Sequence, residues 1–151
     1  MTHEETVTMI VEEMRSLPGA MLPILHAIQD RLGYVPKEAV PIVAKGLNVS
    51  RAEVHGVLTY YHHFRQDPPA LHMLHICRAE SCQAVGGDAL AEHAKNALGC
   101  DFHGISGDGS FSLEPVYCLG LCASSPAIML DGEVHARMDS EKLDSLLEEG
   151  K

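Results

Sequence analysis

The sequence predicts an α+β chain, a helical segment over residues 1–69 followed by a small α/β domain with a mixed sheet over residues 70–151. Three observations carry that prediction. Apolar residues recur at helical spacing as far as Tyr61. The stretch Gln66, Asp67, Pro68, Pro69 cannot continue a helix. Beyond it, short apolar runs alternate with an Ala-rich helical stretch and a last amphipathic one.

Val7, Ile10, Val11, Met14 and Leu17 share one face of a first helix that stops at Pro18 and Gly19. Met21, Ile24, Leu25, Ile28 and Leu32 stripe a second, and Gly33 supplies its left-handed stop. Pro36 opens a third with Val40, Val43, Ala44 and Leu47, where Pro41 must occupy an early turn. Ser50 and Glu53 form a capping box that starts a fourth, whose apolar face is Val54, Val57, Leu58 and Tyr61.

After the linker, residues 71–77 read as a strand and residues 84–98 as an Ala-rich helix. Residues 110–118 alternate as the next strand. Residues 127–130 and 133–137 flank Asp131 and Gly132, a two-residue turn suited to a tight hairpin. Leu143, Leu146 and Leu147 mark a closing helix. Strand, helix, strands, helix is the order of helices laid on one mixed sheet.

Composition excludes several function classes. A 151-residue chain that is 46% hydrophobic can build a core. Its beginning, Met1, Thr2, His3, Glu4, Glu5, lacks the basic start and apolar stretch of a secretory signal, and no apolar run reaches spanning length. A cytoplasmic protein without membrane insertion is expected. The net charge of −10 argues against nucleic acid, since a polyanion is bound by releasing its counterions to a basic surface. The imbalance sits in the second half: residues 1–70 hold 8 acidic and 6 basic side chains, residues 71–151 hold 13 and 5.

That acidic half also holds all five cysteines, Cys77, Cys82, Cys100, Cys118 and Cys122. In a reducing compartment, closely spaced cysteines more often bind metal or do redox work than form disulfides. Cys77 and Cys82 are spaced CxxxxC, Cys118 and Cys122 CxxxC, with 35 residues between the pairs. Two loops with two thiolates each match a two-iron cluster, one pair to each iron. Cys77 closes a strand and Cys82 opens a helix, so amides at that helix start can face an anionic cluster. Gly120 lets the second loop bring its backbone close to sulfur, and Pro126 stiffens its exit.

A structural zinc site is the chemical rival, although zinc ribbons more often use CxxC knuckles. Disulfides fit poorly without export, and thioredoxin-type catalysis lacks its CxxC. Cys100 has no paired partner and reads as a small buried apolar residue.

Neither of the closest histidine groups has ligand geometry. His62 and His63 are adjacent and point to different helical azimuths, and His72 and His75 fall on opposite faces of a strand. His75, two residues before Cys77, is a candidate for tuning the site by hydrogen bonding. Residues 40–62 have the cadence of a helix-turn-helix, but the second helix offers mainly Val, His, Leu and Tyr after Arg51, which favours a docking module over DNA binding. There is no phosphate loop and no nucleophile beside a base, so no catalytic residue is assigned.

The runs Cys77, Arg78, Ala79, Glu80, Ser81, Cys82 and Cys118, Leu119, Gly120, Leu121, Cys122 resemble the thioredoxin-like 2Fe-2S ferredoxin family. Leu22, Pro23, Ile24, Leu25, with Gly33, Tyr34, Val35, Pro36 and Val54, His55, Gly56, Val57, resemble the helical segment of the 24 kDa subunit of respiratory complex I. The resemblance covers nearly the whole chain and implies a thioredoxin-like cluster domain over residues 70–151, with residues 1–69 as a helical docking domain. It implies one 2Fe-2S cluster, with Cys77 and Cys82 on one iron and Cys118 and Cys122 on the other. It also implies a non-catalytic electron-transfer role beside a partner subunit that holds FMN and binds NADH; this chain itself would hold neither. Members serve complex I, NAD-reducing hydrogenases and NAD-dependent molybdenum formate dehydrogenases. The shortness of the chain and the run from Tyr117 to Pro126 resemble the formate dehydrogenase gamma branch most, which adds a catalytic molybdenum subunit to the expected partners.

Overall fold

The computed structural model describes residues 2–150, and the chain divides into two compact units between Pro68 and Pro69. The first unit is four helices, α1 (His3–Met14), α2 (Met21–Leu32), α3 (Ala39–Leu47) and α4 (Arg51–Tyr60). Val7, Ile24, Leu25, Ile28, Val35, Val43 and Val54 are fully buried at its centre, and all but Val35 are apolar positions that the helical spacing selects. Leu17 lies past the end of α1 and stays exposed.

Helix ends follow side-chain chemistry. Ser50 Oγ accepts from the Glu53 amide at 3.2 Å, and the Glu53 carboxylate accepts from the Ser50 amide at 2.8 Å and from the Ser50 hydroxyl at 2.9 Å; the two bonds to the carboxylate hold it below its ordinary pKa. Thr2 and Glu5 repeat the device on α1. Gly33 stops α2 at φ 84°, in the left-handed region. Pro36 stands ahead of α3 rather than at its first position, because the helix begins only at Ala39. Pro41, its third residue, has no intrahelical acceptor to miss there.

The segment after α4 is tied to α2 by one buried amide, and the Arg65 carbonyl also accepts from the Val35 amide at 2.8 Å. Gln29 Nε2 donates to the His63 carbonyl and Gln29 Oε1 accepts from the Arg65 amide, each at 2.8 Å. Gln29→Ala removes both bonds and strands two backbone groups, so this unit should lose about 2 to 4 kcal/mol. Urea unfolding followed by helical circular dichroism checks it, and an unchanged midpoint would show that the segment is held by other contacts.

The second unit is a five-stranded sheet in the order β2-β3-β1-β4-β5 with helices on it. Its strands are β1 (His72–Cys77), β2 (Gly104–Ile105), β3 (Phe111–Val116), β4 (Ile128–Leu130) and β5 (Glu133–His135). The helices are α5 (Glu80–Ala84), α6 (Gly87–Leu98) and α7 (Ser140–Glu149). β1 runs parallel to β3 and antiparallel to β4. Leu74 and Ile76 turn one face of β1 into a core shared with Leu90, Ala91, Ala94 and Leu98 of α6 and Leu143 and Leu147 of α7. The fold is α+β and thioredoxin-like, with a mixed sheet.

Three elements differ from expectation. The helix predicted over 84–98 begins only at Gly87, because Gly86 adopts φ 100° and separates it from α5, which ends at Ala84. Cys82 consequently sits inside α5 instead of opening a helix. β2 has no counterpart in the sequence pattern: it is two residues long, in a region whose glycines read as turn. The hairpin turn has its expected chemistry, with Asp131 at φ 50° and Gly132 at φ 87°, both left-handed. The Asp131 carboxylate also accepts from the Met73 amide at 2.8 Å and lies 2.7 Å from His72 Nδ1.

Candidate metal centre

The parallel pairing of β1 and β3 builds the site. Cys77, the last residue of β1, stands in register with Val116, the last of β3, so the two chains leave the sheet side by side at their carboxyl ends. That edge is where open α/β sheets place ligands. The first chain turns into α5 and delivers Cys82; the second runs into the loop bearing Cys118 and Cys122. Backbone bonds tie the roots together, Arg78 N–H to Val116 O at 2.7 Å and Cys77 N–H to Ala127 O at 3.1 Å.

Two environments result. Cys77 and Cys82 are each 2% exposed and form a small apolar cluster with Ala127, against which Ala79, Val116, Leu119 and Leu121 pack. Cys118 and Cys122 are exposed. Burial raises the Cys82 thiol pKa above its ordinary value, partly offset by a hydrogen bond from the Ala127 backbone, and the neighbouring Cys77 adds to the rise.

The exposed pair is already gathered. Cys118 Sγ and Cys122 Sγ lie 3.6 Å apart. A tetrahedral metal binding two thiolates at about 2.3 Å holds their sulfurs about 3.7 Å apart. The Gly120 amide donates to Cys118 Sγ at 3.3 Å and lowers the Cys118 pKa, while the adjacent Cys118 raises that of Cys122. Cys118 takes φ 109° to aim its sulfur there.

Among the described residues, no three histidine, cysteine or carboxylate side chains converge on one metal position. The thiols stand as two pairs, which suits a binuclear centre with two thiolates to each iron better than a single zinc cage. The donor set fits a 2Fe-2S cluster.

Other tempting residues lie elsewhere. Cys100 is partly buried against the α6 core, and that burial raises its thiol pKa. His63 stacks with His26 and Phe64 in the helical unit. His75 stands in β1 between Glu114 of β3 and Met129 of β4. Sequence reasoning missed Ser81, whose Oγ lies 2.9 Å from both the Cys122 carbonyl and Ser125 Oγ. No local pattern announces a bond spanning 41 residues.

A thioredoxin-like domain with four cysteines gathered where two parallel strands leave one sheet edge defines a class, the iron-sulfur carriers of that fold. The profile of the thioredoxin-like 2Fe-2S ferredoxins matches residues 7–151, and the chain belongs to that family. Among similar proteins, an NADH-quinone oxidoreductase subunit of Rhizobium meliloti is 31% identical over 148 residues, 98% of this chain and 88% of the relative. An NADH-quinone oxidoreductase subunit of Pseudomonas aeruginosa is 30% identical over 130 residues, 86% and 78% of the two chains. The NADP-reducing hydrogenase subunit HndA of Solidesulfovibrio fructosivorans is 29% identical over 143 residues, 93% and 84%. A solved NAD+-reducing NiFe-hydrogenase in its air-oxidized state superposes with TM-score 0.74 at 24% identity, covering 92% of this chain and 24% of the hydrogenase chain. That likeness is one of fold.

Proposed function

We propose that this chain is a non-catalytic electron-transfer subunit of an NAD-dependent oxidoreductase, holding one 2Fe-2S cluster on Cys77, Cys82, Cys118 and Cys122. The observation that carries the reading is the meeting of two cysteine pairs, one buried and one exposed, at the ends of adjacent parallel strands. Cys77 and Cys82 would hold one iron and Cys118 and Cys122 the other. When bound, the cluster supplies one-electron exchange. The apolar setting of Cys77 and Cys82 keeps water from one pair, and the exposed pair faces outward to a donor or acceptor. No side chain here handles substrate or nicotinamide.

The partner in this reading is a subunit with FMN and an NADH site, docked through the N-terminal helices and the cluster domain. A groove between α1 and α3, about 700 Å³ in volume, supports docking of an acidic partner surface. Arg15, Lys45 and Arg51 line it with one carboxylate, Glu12, and none of the three forms an ion pair among the described residues. Residues 1–69 are then the docking domain and residues 70–151 the cluster domain, in a cytoplasmic complex. Among the described residues no helix is long and apolar enough to cross a membrane.

For the parent complex we propose an NAD-dependent formate dehydrogenase, with a molybdenum subunit beyond the flavin subunit, on the run from Tyr117 to Pro126. The second reading is an NADH-quinone oxidoreductase or a hydrogenase, favoured by the names of the relatives. Affinity purification of the native complex through this chain separates them by metal content: molybdenum, nickel, or neither.

Low-temperature EPR of the anaerobically purified, dithionite-reduced chain, with iron and acid-labile sulfide counted on the same sample, tests the site. A rhombic signal is expected from about two irons and two sulfides per chain. The midpoint should be negative, because an all-thiolate site in an acidic domain disfavours an added electron. Zinc without a signal would return the protein to an interaction module stabilised by that metal.

A further inference from the structure

The segments carrying the cysteines come from distant parts of the chain, and among the described residues the backbone bonds that join them lie at their roots, at Cys77, Arg78, Val116 and Ala127. Farther out, where Cys82 and Cys122 sit, side chains must set their separation. Besides the bond that the Ala127 backbone gives the Cys82 sulfur at the far root of the second loop, the side-chain hydrogen bonds that join the two loops among the described residues are those of Ser81.

Ser81 lies in α5 immediately before Cys82 and is half-buried. Its Oγ is 2.9 Å from the Cys122 carbonyl oxygen and 2.9 Å from Ser125 Oγ, and Ser125 Oγ is itself 3.1 Å from that carbonyl. Three oxygens thus form a triangle with two hydroxyl protons to share. A carbonyl has two lone pairs and a hydroxyl one proton, so two of the three edges can be hydrogen bonds at a time. In one arrangement both serines donate to Cys122 O. In the others one serine donates to the carbonyl and the other serine donates to it. In each of them Ser81 stays bonded to the second loop.

From this geometry we infer that Ser81 is a positioning residue for the metal centre, a latch that fixes the Cys122 loop against the helix bearing Cys82. The inference rests on the 2Fe-2S reading above. Ser81 touches no metal in this account. It acts through the Cys122 carbonyl, and so through the placement of a ligand that is otherwise exposed. Because Ser125 contacts the carbonyl independently but belongs to the same loop as Cys122, it cannot replace the tie between loops. Loss of Ser81 should therefore count for more than loss of Ser125.

The full chain is purified anaerobically as wild type, Ser81→Ala, Ser81→Thr and Ser125→Ala. Each is followed for bleaching of visible absorption under an iron chelator, for the EPR line shape after reduction, and for thermal unfolding. Ser81→Ala should bleach about five-fold faster, the factor that one lost neutral hydrogen bond represents, with a broadened or shifted signal. Ser81→Thr, which keeps the hydroxyl, should return both to wild type, and Ser125→Ala should fall between. A general loss of stability would lower the unfolding temperature without changing the line shape. Ser81→Ala with wild-type bleaching and a superimposable signal overturns the latch alone. Wild type without iron and sulfide overturns the latch together with the cluster reading.

Discussion

Cys82→Ser is expected to reduce bound iron and sulfide at least ten-fold, whereas Cys122→Ser should keep a substantial share of both. The two residues have the same chemistry in different surroundings. Cys82 is 2% exposed, packed with Cys77 and Ala127 in an apolar cluster, so no water can reach an iron left one ligand short. The serine hydroxyl would also be placed in an apolar cluster where the bonds on offer are those of the Ala127 backbone and the Cys77 sulfur. Cys122 is exposed on a loop, and solvent or the new hydroxyl can fill the vacated position. Iron and sulfide counts on both variants, beside visible spectra, check the prediction. Equal retention would mean that burial does not distinguish the two pairs; full retention in Cys82→Ser would remove that residue from the ligand set.

How far such a site can be read in advance depends on the range of the interactions that make it. Ser50 and Glu53 are three residues apart and their capping box is legible, as is the turn at Asp131 and Gly132, because local chemistry decides both. The spacing of the four cysteines marks the candidate site itself. It cannot show that β1 and β3 run parallel, which is what places the two loops side by side. Nor can it show which pair is buried, since Ala127, which closes over Cys77 and Cys82, comes from the far side of the second loop. Strand β2 has two residues and carries no periodicity to detect. Ser81 escapes a local reading because its partners, Cys122 and Ser125, are distant in the chain.

The break in the helix expected over residues 84–98 leads to the second large effect. Gly86 and Gly87 fall within the one helix expected over residues 84–98, and their roles are different. Gly86 makes the turn at φ 100° with open space where a side chain would go, so Gly86→Ala meets only backbone strain, about 1 to 2 kcal/mol. Gly87 begins α6 pressed against α5. A Cβ there would stand 2.6 Å from the carbonyl oxygen of Cys82 and 2.8 Å from its carbonyl carbon. These are backbone atoms and cannot rotate aside, so α5 must shift, and Cys82 shifts with it. Gly87→Ala is accordingly expected to cost about 3 kcal/mol in the cluster domain, at the upper end for an overpacked site, and to lose most of the iron. Gly86→Ala should retain its iron despite its strain. Thermal unfolding and iron counts on the two variants separate strain from displacement. If Gly87→Ala binds iron as fully as wild type, the junction of α5 and α6 does not set the position of Cys82.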